Sequence, residues 1–239
     1  MNIRTGMKVV LVEISSKLLD IFFPKRCVSC QKYGELLCFD CAKEIELIKT
    51  DICPECGKIS HLAGYCRNCK AKLKTKLSGI VIAASYQSRP VKEMIHNLKY
   101  CGLVELSEHL AEILCQKLYS FDLMRYIVVP VPLHKKRLNW RGFNQSALIV
   151  QHVAKKLGLE YVDCMKRLRD TKPQVTLKRG ERRANVAGAF ECKSSIVEGK
   201  NILLIDDVAT TGATLLECAK ALKSAGAKKI IAAVVARNV

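Results

Sequence analysis

Residues 201–214 read NILLIDDVATTGAT, and this run decides the fold. An apolar strand is expected over 202–205, ending in two adjacent carboxylates, Asp206 and Asp207. A small-residue turn follows, Ala209-Thr210-Thr211-Gly212-Ala213-Thr214, and a helical pattern begins at Leu215. Strand, acidic pair, hydroxyl-rich loop and helix together suit a sugar carrying a 5′-phosphate. The carboxylates accept hydrogen bonds from neighbouring ribose hydroxyls. Backbone N–H groups of the loop, the hydroxyls of Thr210, Thr211 and Thr214, and the helix N-terminus hold the phosphate. Gly212 lets the backbone approach it closely.

Outward from this run, strands alternate with helices. Strand patterns are expected at 79–87, 126–131 and 229–236. Helical patterns lie at 90–100, 103–119, 144–157 and 215–225, with Gly158 and Gly226 closing the last two. This order indicates a parallel sheet with crossover helices, an α/β body whose ligands bind beyond the carboxyl ends of the strands.

Two further polar segments belong to that edge. Residues 129–145, VPVPLHKKRLNWRGFNQ, crowd Lys135, Lys136, Arg137 and Arg141 into what reads as a loop, suited to neutralising a pyrophosphate. Trp140 and Phe143 sit among these cations, a mixture that also suits single-stranded nucleic acid by stacking and phosphate contact. Packing of both rings under the loop is the alternative. Residues 167–190 are rich in Arg and Lys with little apolar periodicity, and read as a mobile loop able to close over a bound diphosphate.

The 239 residues, 49% hydrophobic, suffice for one full domain and a small module. A formal charge of +18 favours polyanionic partners. Thirteen cysteines, an odd number with eight in CxxC pairs, argue against a secreted disulfide scaffold and for a reducing compartment. The pairs are Cys27/Cys30, Cys38/Cys41, Cys53/Cys56 and Cys66/Cys69. Two pairs complete a tetrahedral thiolate shell, so eight ligands imply two zinc ions, with iron–sulfur and redox dithiols as alternatives. Sequential pairing is the simplest arrangement, and an interleaved one stays open. A structural staple and a DNA-contacting ribbon are both compatible with the module, expected over 25–72. Residues 1–24 read as an amphipathic helix interrupted by Lys8, Glu13, Lys17 and Asp20, which is neither a signal peptide nor a stable membrane insertion. Cys115 and Cys218 fall in apolar helical patterns as small core residues.

The run ILLIDDVATTGAT resembles the phosphoribosyl-pyrophosphate (PRPP) signature of type I phosphoribosyltransferases. The whole chain resembles the ComF family, on the cysteine pairs, LKYCG at 98–102, the basic segment at 129–145, ERRANVAGAF at 181–190 and the PRPP run. The resemblance implies a type I phosphoribosyltransferase-like domain over 77–239 behind a double zinc ribbon. It implies that Asp206 and Asp207 bind the 2′- and 3′-hydroxyls of PRPP and that residues 209–214 hold its 5′-phosphate. It further implies Lys135 and Arg137 on the pyrophosphate, Mg²⁺ held with PRPP, and a flexible loop near residues 169–183. The context implied is DNA uptake in the cytoplasm, with a competence helicase-like protein as one open partner; the basic–aromatic pattern assigns single-stranded DNA to Lys136, Trp140, Arg141 and Phe143. Three functions stay open: a PRPP-binding protein handling single strands, an active transferase with an unknown acceptor, and a zinc adaptor with a vestigial site. Nothing in residues 79–125 or the zinc module, where the resemblance places the acceptor-choosing hood, reads as a base pocket.

Overall fold

Apolar side chains on alternate residues of each strand face opposite sides of the sheet, and both sides are covered. In a computed structural model, residues 24–60, 63–171, 179–193 and 195–237 are described. The amphipathic helix expected at 1–24 lies outside them but for Pro24.

The core is a five-stranded parallel sheet of β1 (Ile80–Ser85), β2 (Tyr126–Pro130), β3 (Glu160–Tyr161), β6 (Asn201–Ala209) and β7 (Lys229–Arg237), in the order β1-β7-β6-β2-β3. Helices α3 (Arg89–Tyr100), α4 (Leu106–Leu118) and α6 (Gln145–Leu157) cover one face. There Met94, Leu98, Leu110, Leu114, Ile149 and Val153 pack on Val128, Leu203, Ile205 and Ala233. Helix α8 (Ala213–Ser224) covers the other, where Cys218, Ala219 and Leu222 join Ile82, Ile127, Ile202, Leu204 and Val234. Cys115 and Cys218 are fully buried core residues, one on each side.

The chain leaves β2 through α6 toward β3, and leaves β6 through α8 toward β7, in opposite directions across the sheet. The carboxyl ends of β2 and β6 therefore form a topological switch point, the crevice where open α/β sheets bind ligands.

Three segments differ from their expected form. Strand β6 does not stop before the acidic pair but runs through it, because β7 stays hydrogen-bonded alongside, with Asp206 opposite Val234 and Ala209 opposite Arg237. The basic segment is not a loop. It forms helix α5 (Lys135–Arg141), whose cap His134 accepts the Lys136 N–H and whose C-cap Gly142 takes the left-handed conformation, φ 85°. The long polar segment holds structure of its own: β4 (Met165–Arg167) pairs antiparallel with β5 (Phe190–Cys192), and α7 (Arg179–Val186) lies between them. Val186, Ala189 and Phe190 are buried against the α8 side, so a few apolar residues at its end anchor an otherwise charged flap.

The N-terminal module carries two short helices, α1 (Phe39–Lys43) and α2 (Arg67–Leu73), beside its cysteine knuckles. It is bound to the sheet through the Ile48 N–H to the Ala83 carbonyl (2.8 Å) and Arg237 to the Pro54 carbonyl (2.7 Å). Among the described residues, no helix is long and apolar enough to cross a membrane.

Candidate functional site

A cavity of about 490 Å³ opens at the switch point. Asp206, Asp207, Thr210, Thr214, Arg137 and Arg141 line it, together with Lys99, Gln145, Arg167 and Arg182. The two acids, although adjacent, have different surroundings, because successive residues of a strand face opposite sides. Asp207 is 3% exposed and points under α3 and α6. It pairs with the Lys99 ammonium and accepts the Gln145 amide at 3.1 Å. Asp206 is half-buried and accepts the Ser146 hydroxyl at 2.7 Å and the Asp207 N–H at 3.0 Å.

These environments pull the two carboxyls apart. Burial pushes Asp206 up, and the neighbouring Asp207 charge adds to it, to about 7. Burial acts upward on Asp207 too, but the Lys99 ammonium outweighs it and holds this carboxyl below the usual range. Burial by itself would lower Lys99; the Asp207 carboxylate reverses that and raises it. The result is an ionised, internally paired Asp207 beside an Asp206 that titrates near neutrality.

The residues of the turn after β6 take their places for different reasons. Gly212 is the N-cap of α8 at φ 73°, a left-handed conformation that favours glycine, and a Cβ there would meet the Ile80 side chain at 3.1 Å. Thr211 accepts the Ala213 N–H at 3.4 Å. Ala209 and Ala213 are buried, so they can offer a ligand only backbone. The helix therefore begins at Ala213 rather than at Leu215, with its first N–H groups facing the turn.

The basic helix divides its side chains. Arg137 and Arg141 face the cavity. Arg137 donates to the Thr171 carbonyl at 2.6 Å, tying α5 to the base of the flap. Lys135 lines a separate groove with Leu138 and Phe143, away from the acids. Lys136 is exposed and lies 3.8 Å from Asp170. Phe143 is half-buried and packs against the core, while Trp140 is 69% exposed.

Lys99, Gln145 and Ser146 also belong to the site, although residue type alone does not mark them. A signal for Lys99 was present: it falls one turn after Ile95 on the apolar stripe of α3, where an ammonium requires a partner. Gln145 and Ser146 open α6 directly over the strand ends, because Asn144 both caps that helix (3.1 Å to the Ser146 N–H) and donates to the Val131 carbonyl at 3.0 Å.

The cysteines gather as Cys27, Cys30, Cys38, Cys41 and as Cys53, Cys56, Cys66, Cys69, with the sulfurs of each group within 4.8 Å of one another. The knuckles thus pair sequentially. They repeat one geometry: the N–H of Gln31 bonds to the Cys27 carbonyl (2.8 Å) and that of Gly57 to the Cys53 carbonyl (3.0 Å), both residues left-handed. Burial disfavours thiolates at Cys27 and Cys53, yet backbone N–H donors overcome it and lower each to about 6. Burial, with crowding by the neighbouring thiols, pushes Cys41 up to about 12. Four such sulfurs ionise together only around a cation, and tetrahedral sulfur donors fit zinc.

Sheet, switch-point cavity and thiolate clusters together define a type I phosphoribosyltransferase-like protein with a double zinc ribbon. The sequence matches the phosphoribosyl transferase domain over residues 144–239 and the double zinc ribbon domain over residues 18–70. It is 31% identical over 194 residues to competence protein ComFC of Streptococcus pneumoniae, covering 81% of this chain and 84% of that one. It is 31% identical over 225 residues to competence protein F of Haemophilus influenzae, covering 87% and 95%. It is also 30% identical over 201 residues to DNA utilization protein YhgH of Salmonella typhimurium, covering 81% and 87%. The chain belongs to the ComF family.

Proposed function

We propose that this chain binds PRPP with Mg²⁺ at the switch point and handles single-stranded DNA in the cytoplasm during DNA uptake. The observation that carries the reading is the meeting of Asp206, Asp207, Thr210, Thr214 and Arg137 in one cavity. Relatives named as competence and DNA utilization proteins support the DNA context.

In this reading the Thr210 and Thr214 hydroxyls and the first N–H groups of α8 hold the 5′-phosphate. Asp206, the more accessible acid, accepts from a ribose hydroxyl, and Lys99 keeps Asp207 ionised behind it. Arg137, Arg167 and Arg182 face the diphosphate, Arg182 carried by the flap helix α7. Asp206, the accessible acid, would offer a carboxylate oxygen toward Mg²⁺, which would supply charge neutralisation on the pyrophosphate.

Calorimetry with PRPP and Mg²⁺ tests the site. Asp206→Asn is expected to weaken binding by about 10- to 100-fold, the loss of a hydrogen bond to a charged group. Because Asp206 titrates near 7, wild-type affinity is expected to rise from pH 6 to pH 8, by at most about tenfold per pH unit, and the variant to lack that increment. Unchanged affinity in Asp206→Asn refutes the assignment.

Strand handling predicts salt-sensitive binding of a labelled single-stranded oligonucleotide, read by fluorescence anisotropy. Lys136→Ala is expected to flatten the slope of log K against log salt by about 0.7, one phosphate contact. Absence of binding at low salt rules out this half of the reading.

A further inference from the structure

Few aromatic rings are exposed among the described residues, and several of those are isolated or covered. Tyr33 lies under Arg26, and Phe39 under Lys43. Tyr100 and Trp140 differ. They lie 40 positions apart in sequence on separate helices, yet their ring centroids are 6.4 Å apart, with planes at 58°. Both are wet, at 58% and 69% exposure. His96, one turn before Tyr100 on α3, extends the row at 4.9 Å. The Arg141 guanidinium stands 5.7 Å over the Tyr100 ring.

His96, Tyr100 and Arg141 line the acid-pair cavity, and Trp140 adjoins Tyr100 outside that lining. Two covalent neighbours tie the row there. Lys99, next to Tyr100, pairs with Asp207; Arg141, next to Trp140, donates to Gln145, which donates to Asp207. The rings are therefore held in place from below while their outer surfaces stay open. Cations of α5 flank them, in a chain of net charge +18. With the planes inclined at 58°, a base laid on the face of one ring meets the other ring edge-on and its phosphate meets the bordering cations, whereas a duplex conceals its base faces in the stack.

We propose that Tyr100 and Trp140 form a stacking platform for one unpaired nucleobase of a single strand, seated beside the Asp206–Asp207 cavity with the adjoining phosphate on α5. The proposal rests on the single-strand reading above and places the strand beside the PRPP subsite. Tyr100, rather than the core-packed Phe143, is the ring that accompanies Trp140. The platform supplies an aromatic wall from α3, in the region where the sequence shows no base pocket.

Trp140 is the single tryptophan of the chain, so its emission reports on the platform directly. Full-length protein would be titrated with an oligothymidylate of about eight nucleotides, within the usual length range of such sites. Saturable quenching of Trp140 is expected, with no comparable quenching by a blunt duplex. Tyr100→Ala is expected to weaken the quenching constant by about 5- to 150-fold, the value of one base–aromatic stack, and Tyr100→Phe to restore it. Tyr100 is more than half exposed, so its truncation leaves the fold intact, checked by an unchanged thermal midpoint. Strand binding seen by anisotropy without quenching overturns the platform and leaves strand handling standing. Binding absent from both readouts overturns both. Quenching that persists when calorimetry shows no PRPP binding upholds the platform and removes the PRPP reading alone.

Discussion

Replacing Asp207 by asparagine is expected to lower the thermal midpoint by about 6–12 °C. The variant deprives the largely buried Lys99 ammonium of its paired carboxylate and leaves Asp206 as the nearest acid to answer it. Removing one partner of a buried ion pair costs about 3–5 kcal/mol. Lys99 keeps 21% exposure, which allows some hydration and favours the lower figure, about 3 kcal/mol. For a chain of this size each kcal/mol moves the midpoint by about 2–4 °C. The double variant Asp207→Asn with Lys99→Met is expected to regain most of the loss, because it removes both charges and the Gln145 amide still finds an acceptor. Thermal unfolding followed by circular dichroism decides this, and an unchanged midpoint in the single variant means that Lys99 is not held by Asp207. The two acids also act oppositely with pH. Asp207, held low, contributes stability above the ordinary carboxylate range that is lost as pH falls through its lowered value. Asp206, raised to about 7, binds its proton more tightly folded than unfolded, so its contribution declines as pH rises from about 4 to 7. A substitution at either acid therefore changes stability as well as binding, with opposite pH dependence, so each affinity is compared at a pH where the variant is folded.

Loss of zinc is expected to do more damage than any point substitution. Structural zinc sites in zinc-finger peptides supply about 10–16 kcal/mol at neutral pH. Here the clusters are also part of the main core. Cys27, Val28, Leu37 and Cys41 pack with the α3–α4 side, and Cys53, Tyr65 and Leu77 with the α8 side. Metal analysis is expected to return two zinc ions per chain. A strong chelator should depress the thermal midpoint and direct limited proteolysis to residues 27–69. One ion or none per chain contradicts the paired clusters. The second cluster has a further link to the cavity: Glu55, inside the Cys53–Cys56 knuckle, pairs with Arg183 of α7 at 3.0 Å. Cys53→Ser is accordingly expected to disturb the flap, and with it PRPP affinity, more than Cys27→Ser does.

Much of this was legible in the chain because it rests on local chemistry. The apolar run of β6, its acidic pair and the Gly212 turn announce strand, site and helix within fourteen residues, since each depends on near neighbours. CxxC spacing is equally local. The errors arose where a segment's form depends on distant partners. The acids remain in the strand because β7 pairs beside them. The basic segment is a local case instead: His134 and Gly142 cap its ends and make it a helix, which charge crowding conceals.

By itself, then, the sequence determined the parallel α/β body, the eight cysteine ligands and the acid–hydroxyl edge at the strand ends. These follow from periodicity, spacing and residue chemistry. Only the tertiary structure decided which cysteines share an ion, which acid is sealed and which stays accessible, and which ring stands beside Trp140. Lys99 and Tyr100 reach their partners from another helix, Asp207 across the sheet end and Trp140 on α5. Contacts between residues that distant are set by how α3, α5 and α6 pack over the strand ends, and no local pattern encodes that packing.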